Sequence, residues 1–237
     1  MNPITRLITS IKLRLNRKKF DSGDYLEAYA NNTDLLASIS PEMAIGGLWD
    51  EMGQHQFEFL KDQGLQPHHR LLDIGCGSLR GGLYFIDYLE QGNYTGFDLS
   101  TEVIKAGQRK IEKRGIADKA PKLLVNTARN LKFDFLDSVK FDFLLAQSVF
   151  SHLKPEHIDE CFDNLHKVMA KNARFFFTHH PGERFKARSK TDFEYPVSFF
   201  EEAAHSRGFE IVNISSKYDH PRGQNMLMLH VAPESRA

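Results

Sequence analysis

Two carboxylates and a glycine-rich turn carry the clearest chemical content of this 237-residue sequence. Asp73 follows the apolar pair Leu71-Leu72 and leads through Ile74 into Gly75-Cys76-Gly77-Ser78-Leu79-Arg80. Asp98 comes 25 residues after Asp73, at the end of Tyr94-Thr95-Gly96-Phe97. A strand that ends in an acid and a glycine turn lets the backbone pass close to a ligand with no side chain intervening. An acid at the tip of the next strand accepts hydrogen bonds from both hydroxyls of a ribose. Together they predict an adenosine-bearing ligand outside the carboxyl ends of two parallel strands.

The same turn excludes alternatives. The dinucleotide fingerprint G-x-G-x-x-G wants glycine or alanine at its sixth position, where close helix packing is required, and this chain has Arg80 there. The phosphate loop G-x-x-x-x-G-K-[ST] is absent as well. A nicotinamide oxidoreductase on the same sheet is therefore the weaker alternative, and a ligand without a pyrophosphate is favoured.

The elements that must hold these residues follow from the apolar pattern. Leu48, Met52, Phe57 and Leu60 fall close to a helical period, with Gly64 as a stop. Helices are also predicted over Leu83–Gly92, over Thr101–Gly115 with Ser100 or Thr101 as cap, over Pro155–Met169 and around Pro196–Gly208. Between them lie short, nearly continuous apolar runs, which is how strands buried on both faces of a parallel sheet read. The expected fold is α/β: a doubly wound, mostly parallel seven-stranded sheet with an antiparallel edge and an N-terminal helical extension. The runs 209–216 and 225–232 are joined by a connector too short for a helical crossover, so they should form an antiparallel pair at the edge.

Ahead of this domain, Ile4, Leu7, Ile8, Ile11 and Leu15 share one helical face, and Arg6, Lys12, Arg14, Arg17, Lys18 and Lys19 bring six positive charges before the first acid, Asp21. Such a basic amphipathic helix packs on its own domain or on a second subunit; residues 4–19 are also a candidate for peripheral contact with anionic lipid or a polyanionic substrate. Residues 21–45 read as a connector with a short helix. The expected division is 1–45 for the extension and 46–237 for the catalytic-size domain.

Bulk properties narrow the partners. The 31 basic and 31 acidic residues cancel, so no whole-molecule field favours nucleic acid. Cys76 and Cys161 read as free thiols suited to a reducing compartment. No apolar run approaches the ~20 residues of a membrane span, and the first twenty residues lack the core and cleavage site of a signal peptide. A cytoplasmic location, with the membrane periphery as an extension of it, is the expectation.

Through LLDIGCG (71–77), GFDLS (96–100) and FDFLLAQSVFSHL (141–153), the sequence resembles the class I S-adenosylmethionine-dependent methyltransferases over about Gly46 to Val231. The resemblance implies S-adenosylmethionine as cofactor and S-adenosylhomocysteine as product. It implies that Gly75, Cys76 and Gly77 line the amino-acid part of the cofactor, Asp73 holds its amino group and Asp98 its ribose. Leu99 would pack on the adenine, Asn126 and Thr127 would stand where its amino group is recognised, and Gln147 and Ser148 would approach the methionine portion. Many members carry a third glycine where this chain has Leu79; Arg80 after it could pair with a carboxylate of cofactor or substrate. The run GSLRGG is familiar among small-molecule and glycan-associated bacterial members.

Methyl transfer is an in-line displacement from a good leaving group, so alignment and acceptor deprotonation are what the protein must add. Histidine suits the base role near neutral pH. Among His55, His152, His179 and His180, the candidates preferred are His152, just beyond the fourth strand, and His179, at the end of the fifth; a structural role is the plainer reading of each. Trp49, Gln54 and His180 are candidates for the substrate side. The histidines show no metal-ligand spacing, so no metal is expected. The end of strand four lacks the Asn/Asp-Pro-Pro-Tyr/Phe pattern used on planar amino groups, which counts against DNA and protein amides, and no RNA-binding motif is present. The expected activity is O-methylation of a small-molecule, sugar or glycan acceptor. A non-catalytic, cofactor-binding regulator is the alternative from another class.

Overall fold

The computed structural model describes residues 11, 12, 15, 20, 21, 24–44, 47 and 49–232. Most of the basic segment 4–19 lies outside them. Five strands run parallel in the order β3-β2-β1-β4-β5: β1 (Leu71–Ile74), β2 (Tyr94–Asp98), β3 (Lys122–Val125), β4 (Phe141–Ala146) and β5 (Met169–Pro181). β8 (Phe209–Asn213) and β9 (Asn225–Val231) form the expected antiparallel pair. β9 is the strand laid against β5, antiparallel from Arg174–His230 to His179–Asn225, and β8 takes the outer edge.

The strands read as continuous apolar runs because both faces of the sheet are covered. Along β4, Phe143 and Leu145 enter one hydrophobic cluster, whereas Leu144 and Ala146 enter the other. Phe175 and Phe177 on β5 point opposite to Phe176 in the same way, the period-two alternation of a pleated strand with core on both sides.

Helices α1 (Tyr25–Ala37), α2 (Pro41–Ala44), α3 (Trp49–Asp62), α4 (Gly82–Tyr88), α5 (Thr101–Arg114), α6 (Pro155–Asn164) and α7 (Val197–His205) complete the layers. α5 shows the local logic: the Ser100 hydroxyl accepts from the Val103 amide at 3.2 Å, Val103, Ile104, Gly107 and Ile111 are buried, and Gly115 ends the helix in the left-handed region at φ +71°. Pro155 opens α6 at a position where its missing N–H costs nothing.

Two features depart from expectation. Residues 25–44, read as a connector with a short helix, carry the 13-residue α1 and then α2; Asp24 caps α1 by accepting from the amides of Leu26 and Glu27, and Tyr25 and Leu26 join the main core. The second is a ribbon of β6 (Lys186–Ala187) and β7 (Phe193–Tyr195), in which β7 runs parallel to the last residues of β5. Strands of two and three residues are too short for any alternation to show in sequence.

Candidate active site

The carboxyl ends of β1, β2 and β4 open into a cavity of about 360 Å³. Its floor is the turn after β1. Gly75 has φ +68°, and a Cβ there would meet Val149 Cγ2 at 2.6 Å, so a side chain is excluded on both counts. Leu79 is a non-glycine residue at φ +70° and is fully buried. Its side chain fills a notch: Cβ atoms on Gly82 and Gly107 would approach Leu79 Cδ2 and Cγ to 2.7 and 2.9 Å. The departure from a third glycine is thus paired with Gly82 and Gly107, and packing holds a backbone geometry that a leucine disfavours.

Asp73 and Asp98 face this turn from adjacent strands. Tyr94 donates to Asp73 Oδ2 at 2.7 Å. Burial pushes the Asp73 carboxyl up to about 7, against the hydrogen bond from Tyr94 and with the Asp98 charge adding to the rise. Asp98 accepts from the amides of Gly77 at 3.0 Å and Ser100 at 2.9 Å. Burial still raises it to about 6, opposed by those backbone bonds. Burial drives the Cys76 thiol up as well, and both cysteines are free and buried.

Asn126 lies beyond β3, 2 % exposed, donating through Nδ2 to the Asn130 carbonyl at 2.7 Å. Its Oδ1 is buried with no partner among the described residues. An unpaired acceptor in a cavity is costly unless a donor arrives, and the exocyclic amine of an adenine is such a donor. With the Asp98 carboxylate as a second acceptor, suited to a ribose diol, and a turn that leaves room for a ligand, the set of acceptors fits an adenosine compound.

At the mouth of β4, Ser148 sits at φ +57° and is fixed by side-chain bonds. Its amide donates to Thr178 Oγ1 at 2.7 Å, and its hydroxyl donates to Gln224 Oε1 at 3.1 Å. Thr178 donates to the same Gln224 oxygen at 2.7 Å, and Gln147 Oε1 accepts from the Tyr218 hydroxyl at 2.8 Å. The strand four segment is thereby tied to the start of β9.

His152 lines the cavity on the next 3-10 turn. Its Nδ1 stands 2.6 Å from the Thr191 carbonyl and 3.3 Å from Asp192 Oδ1. A carbonyl only accepts, so Nδ1 carries the hydrogen and Nε2 is the proton acceptor of the neutral ring. Thr191 and Asp192 come from the β6–β7 ribbon, which gives that ribbon a role at the site.

The cavity brings together Asp73, Gly75, Cys76, Gly77, Arg80, Asp98, Leu99, Asn126, Gln147, Ser148 and His152. It leaves out others. Thr127 is exposed and does not line the cavity. His179 is fully buried against Phe200, with Nδ1 3.1 Å from the His180 carbonyl, and burial lowers it to about 4. His180 is half-buried on β5 opposite Glu194. Trp49 carries the Lys110 ammonium 3.7 Å above its ring, outside the cavity. Gln54 is exposed, and Gln56 takes the lining position. Spacing could have shown this: Met52, Gln56 and Leu60 share a buried face at i, i+4, i+8, whereas Gln54 lies on the opposite one. Leu26, Tyr29 and Thr33 from α1, together with Arg129 and Arg222, also line the cavity without having been expected. α1 is anchored there: Asp34 Oδ1 accepts from the Ser100 hydroxyl and the Glu102 amide, Tyr25 donates to the His152 carbonyl at 2.6 Å, and Glu27 pairs with Arg129 at 3.5 Å.

Residues 72–175 match the family model described as a methyltransferase domain. A geranyl diphosphate 2-C-methyltransferase of Saccharopolyspora erythraea is 30% identical over 122 residues; the chain spans little more than a third of that relative, the match taking in 50% of this chain and 37% of the relative. Among solved structures, magnesium protoporphyrin IX methyltransferase from Synechocystis with bound S-adenosylmethionine superposes at a TM-score of 0.61, with 14% identity, over 81% of this chain and 82% of that one. A glycopeptide N-methyltransferase complexed with S-adenosylmethionine gives 0.59 at 12% identity, over 76% and 94%. A methyltransferase from Clostridium acetobutylicum gives 0.60 at 12%, over 84% and 98%. The fold is that of the class I S-adenosylmethionine-dependent methyltransferases.

Proposed function

We propose that this chain, a methyltransferase domain by its match over residues 72–175 and class I by fold, transfers a methyl group from S-adenosylmethionine to a hydroxyl of a small-molecule, sugar or glycan acceptor. The observation that carries this reading is one cavity lined by the Gly75–Gly77 turn, the Asp98 carboxylate, the unpaired Asn126 Oδ1 and His152. Asp98 receives the ribose hydroxyls, Asn126 Oδ1 accepts from the adenine amine, and Asp73 takes the methionine ammonium, which returns a buried carboxyl to its charged form. The cofactor supplies an electrophilic methyl on a sulfonium.

The rest falls to the chain's own groups. His152 would take the acceptor hydroxyl's proton on Nε2 as the oxygen bonds to the methyl carbon and the carbon–sulfur bond breaks, its electron pair staying on the sulfur of S-adenosylhomocysteine, and Asp192 and the Thr191 carbonyl would stabilise the imidazolium through Nδ1–H. The relatives named above include methyltransferases to carbon and to nitrogen, so the choice of oxygen rests on His152 alone. The GSLRGG run supports the small-molecule and glycan subgroup, the free thiols of Cys76 and Cys161 support a reducing, cytoplasmic setting, and the zero formal charge counts against nucleic acid as substrate. No described helix is long and apolar enough to cross a membrane.

Calorimetry with S-adenosylhomocysteine, followed by transfer of a labelled methyl group to a panel of hydroxylated and amino acceptors, tests this. Binding with transfer to hydroxyl acceptors supports it. Binding with no transfer to any acceptor marks a regulator, and absence of binding refutes the cofactor assignment.

A further inference from the structure

Gln224, the last residue before β9, is 6 % exposed and does not line the cavity, yet three hydrogen bonds tie its amide to the segment that leads to His152. Its Oε1 accepts from the Ser148 hydroxyl at 3.1 Å and from the Thr178 hydroxyl at 2.7 Å. Its Nε2 donates to Ser151 Oγ at 3.3 Å. One side chain thus joins the residues after β4, the 3-10 turn Phe150–His152 and β5.

The direction of these bonds is consistent throughout. Thr178 Oγ1 accepts from the Ser148 amide at 2.7 Å, and Ser148 Oγ accepts from Gln147 Nε2 at 3.3 Å, so each hydroxyl keeps its own hydrogen for Gln224 Oε1. Turning the amide over would take that acceptor away from both. Thr178 and Ser151 are fully enclosed, where a hydroxyl left without its partner is costly.

What the three bonds hold is a backbone. Ser148 lies in the left-handed region at φ +57°, which a non-glycine residue disfavours. Val149 follows it and stands over Gly75, where a Cβ would meet Val149 Cγ2 at 2.6 Å. The His152 amide donates to the Val149 carbonyl at 2.8 Å, so the turn that presents His152 starts from a residue flanked by two of Gln224's partners, Ser148 and Ser151. Apolar groups of the same shape would serve stability nearly as well. A satisfied polar network adds a single direction for the chain.

We infer that Gln224 is a positioning residue for methyl transfer: through Ser148 and Ser151 it fixes the segment after β4, and with it the place where the His152 ring meets the Thr191 carbonyl and keeps Nε2 for the acceptor. This rests on the reading of His152 as the base, and it adds a residue that lies outside the cavity.

Long-range proton–nitrogen spectra of the histidine rings test it in the full chain, at about pH 8 where an ordinary imidazole is neutral. In the wild type the His152 ring, identified by the loss of its signal in His152→Gln, should carry its hydrogen on Nδ1. Gln224→Met keeps much of the volume and removes all three bonds. It should lower the ratio of the Nδ1–H to the Nε2–H tautomer of His152 by about 3- to 10-fold, the fold-change of one weakened hydrogen bond. Ser151→Ala removes one bond and one oxygen and should lower the ratio by about twofold, and it decides the matter if Gln224→Met does not fold. Leu229→Val, a core change on β9 outside the network, should leave the ratio as it is. An unchanged ratio in Gln224→Met, or in Ser151→Ala where that variant does not fold, refutes the inference. An equal shift in Leu229→Val assigns the effect to general loosening and refutes it too. A wild-type ring with its hydrogen on Nε2 overturns the base assignment together with the inference. Calorimetry of the wild type with S-adenosylhomocysteine separates the two claims: binding with unchanged ratios refutes the inference alone, and no binding refutes the methyltransferase reading and the inference with it.

Discussion

Replacing Leu79 separates two opposed contributions at the turn that floors the cavity. The side chain is fully buried in the notch left by Gly82 and Gly107, so truncation to alanine removes a buried leucine and leaves a void, a loss of about 2–5 kcal/mol. The backbone at φ +70° acts the other way, because an L-residue in the left-handed region is disfavoured by roughly 1–2 kcal/mol and glycine is not. At an ordinary site glycine is less stable than alanine by about 0.5–1 kcal/mol through the entropy of the unfolded chain. Here relief of the backbone outweighs that term, and the expected order is Leu79, then Leu79→Gly, then Leu79→Ala, the last two separated by roughly 0.5–1 kcal/mol. Urea unfolding of the three proteins, followed by fluorescence of Trp49 and by circular dichroism, reads the order from the midpoints. In a chain of this size each kcal/mol also moves the thermal midpoint by roughly 2–4 °C. An alanine variant as stable as the glycine variant, or more so, would show that position 79 is not held in the left-handed region and would remove the link between Leu79, Gly82 and Gly107.

Other outcomes follow from the site. Asp98→Asn should weaken S-adenosylhomocysteine by about 10- to 100-fold, since charge-assisted hydrogen bonds to the ribose become neutral ones; calorimetry with an undiminished affinity would take Asp98 out of the site. His152→Gln should lower kcat by about 100- to 10,000-fold with little change in KM, and Asp192→Asn by a smaller factor; a raised pH that rescues Asp192→Asn but not His152→Gln would separate the positioning group from the base. Asp73 and Asp98 have folded pKa values of about 7 and about 6, above the usual carboxylate value, so the folded state without cofactor binds more protons than the unfolded one. Stability of the ligand-free protein should therefore fall as pH rises from about 4 to 7 through these two groups, and Asp73→Asn should flatten that slope in pH-dependent denaturation. S-Adenosylmethionine, bringing positive charge to Asp73, should release protons on binding near pH 6–7, seen as a dependence of calorimetric heat on the ionisation enthalpy of the buffer; no such dependence would contradict the shifted carboxyl.

Much of this was legible in the sequence because the informative residues act locally. Asp73, Gly75, Gly77 and Asp98 are set by strand ends and turns, and a strand end brings its neighbours to the same rim wherever the rest of the chain goes. The Ser100 cap and the Gly115 stop of α5 are likewise local chemistry, and the final strand pair was implied by a connector too short to cross over. What was hidden depends on long-range placement. Nothing near Thr191 or Asp192 announces that a ribbon of two short strands carries them back to His152. His179 belongs to a strand whose alternate residues face opposite ways, and the packing of Phe200 from α7 determines that its ring is enclosed. The length of α1 is hard to read because its buried alanines are only weakly apolar and Ala28 lies on the opposite side from Ala30 and Ala37, whereas its place is set by Tyr25 and Leu26 in the main core and by the bonds of Asp34 to Ser100 and Glu102 at the start of α5.

The position of β9 has a consequence for the order in which the molecule can assemble. Among the described residues β8 pairs with β9 alone, and β9 with β8 and β5, so a chain emerging from the ribosome has no described strand on which to lay β8 until β9 follows it. Gln224, which holds Ser148 and Thr178, is the residue immediately before β9 and arrives at the same moment. The part of the cavity built on β1, β2 and β3 can therefore form on a nascent chain, while the part at the end of β4 that Gln224 holds waits for the last described strand. Synthesis stalled before residue 224 would leave a protein able to collapse around its first strands and unable to complete the site, with the open edge of β5 exposed to other chains in the meantime.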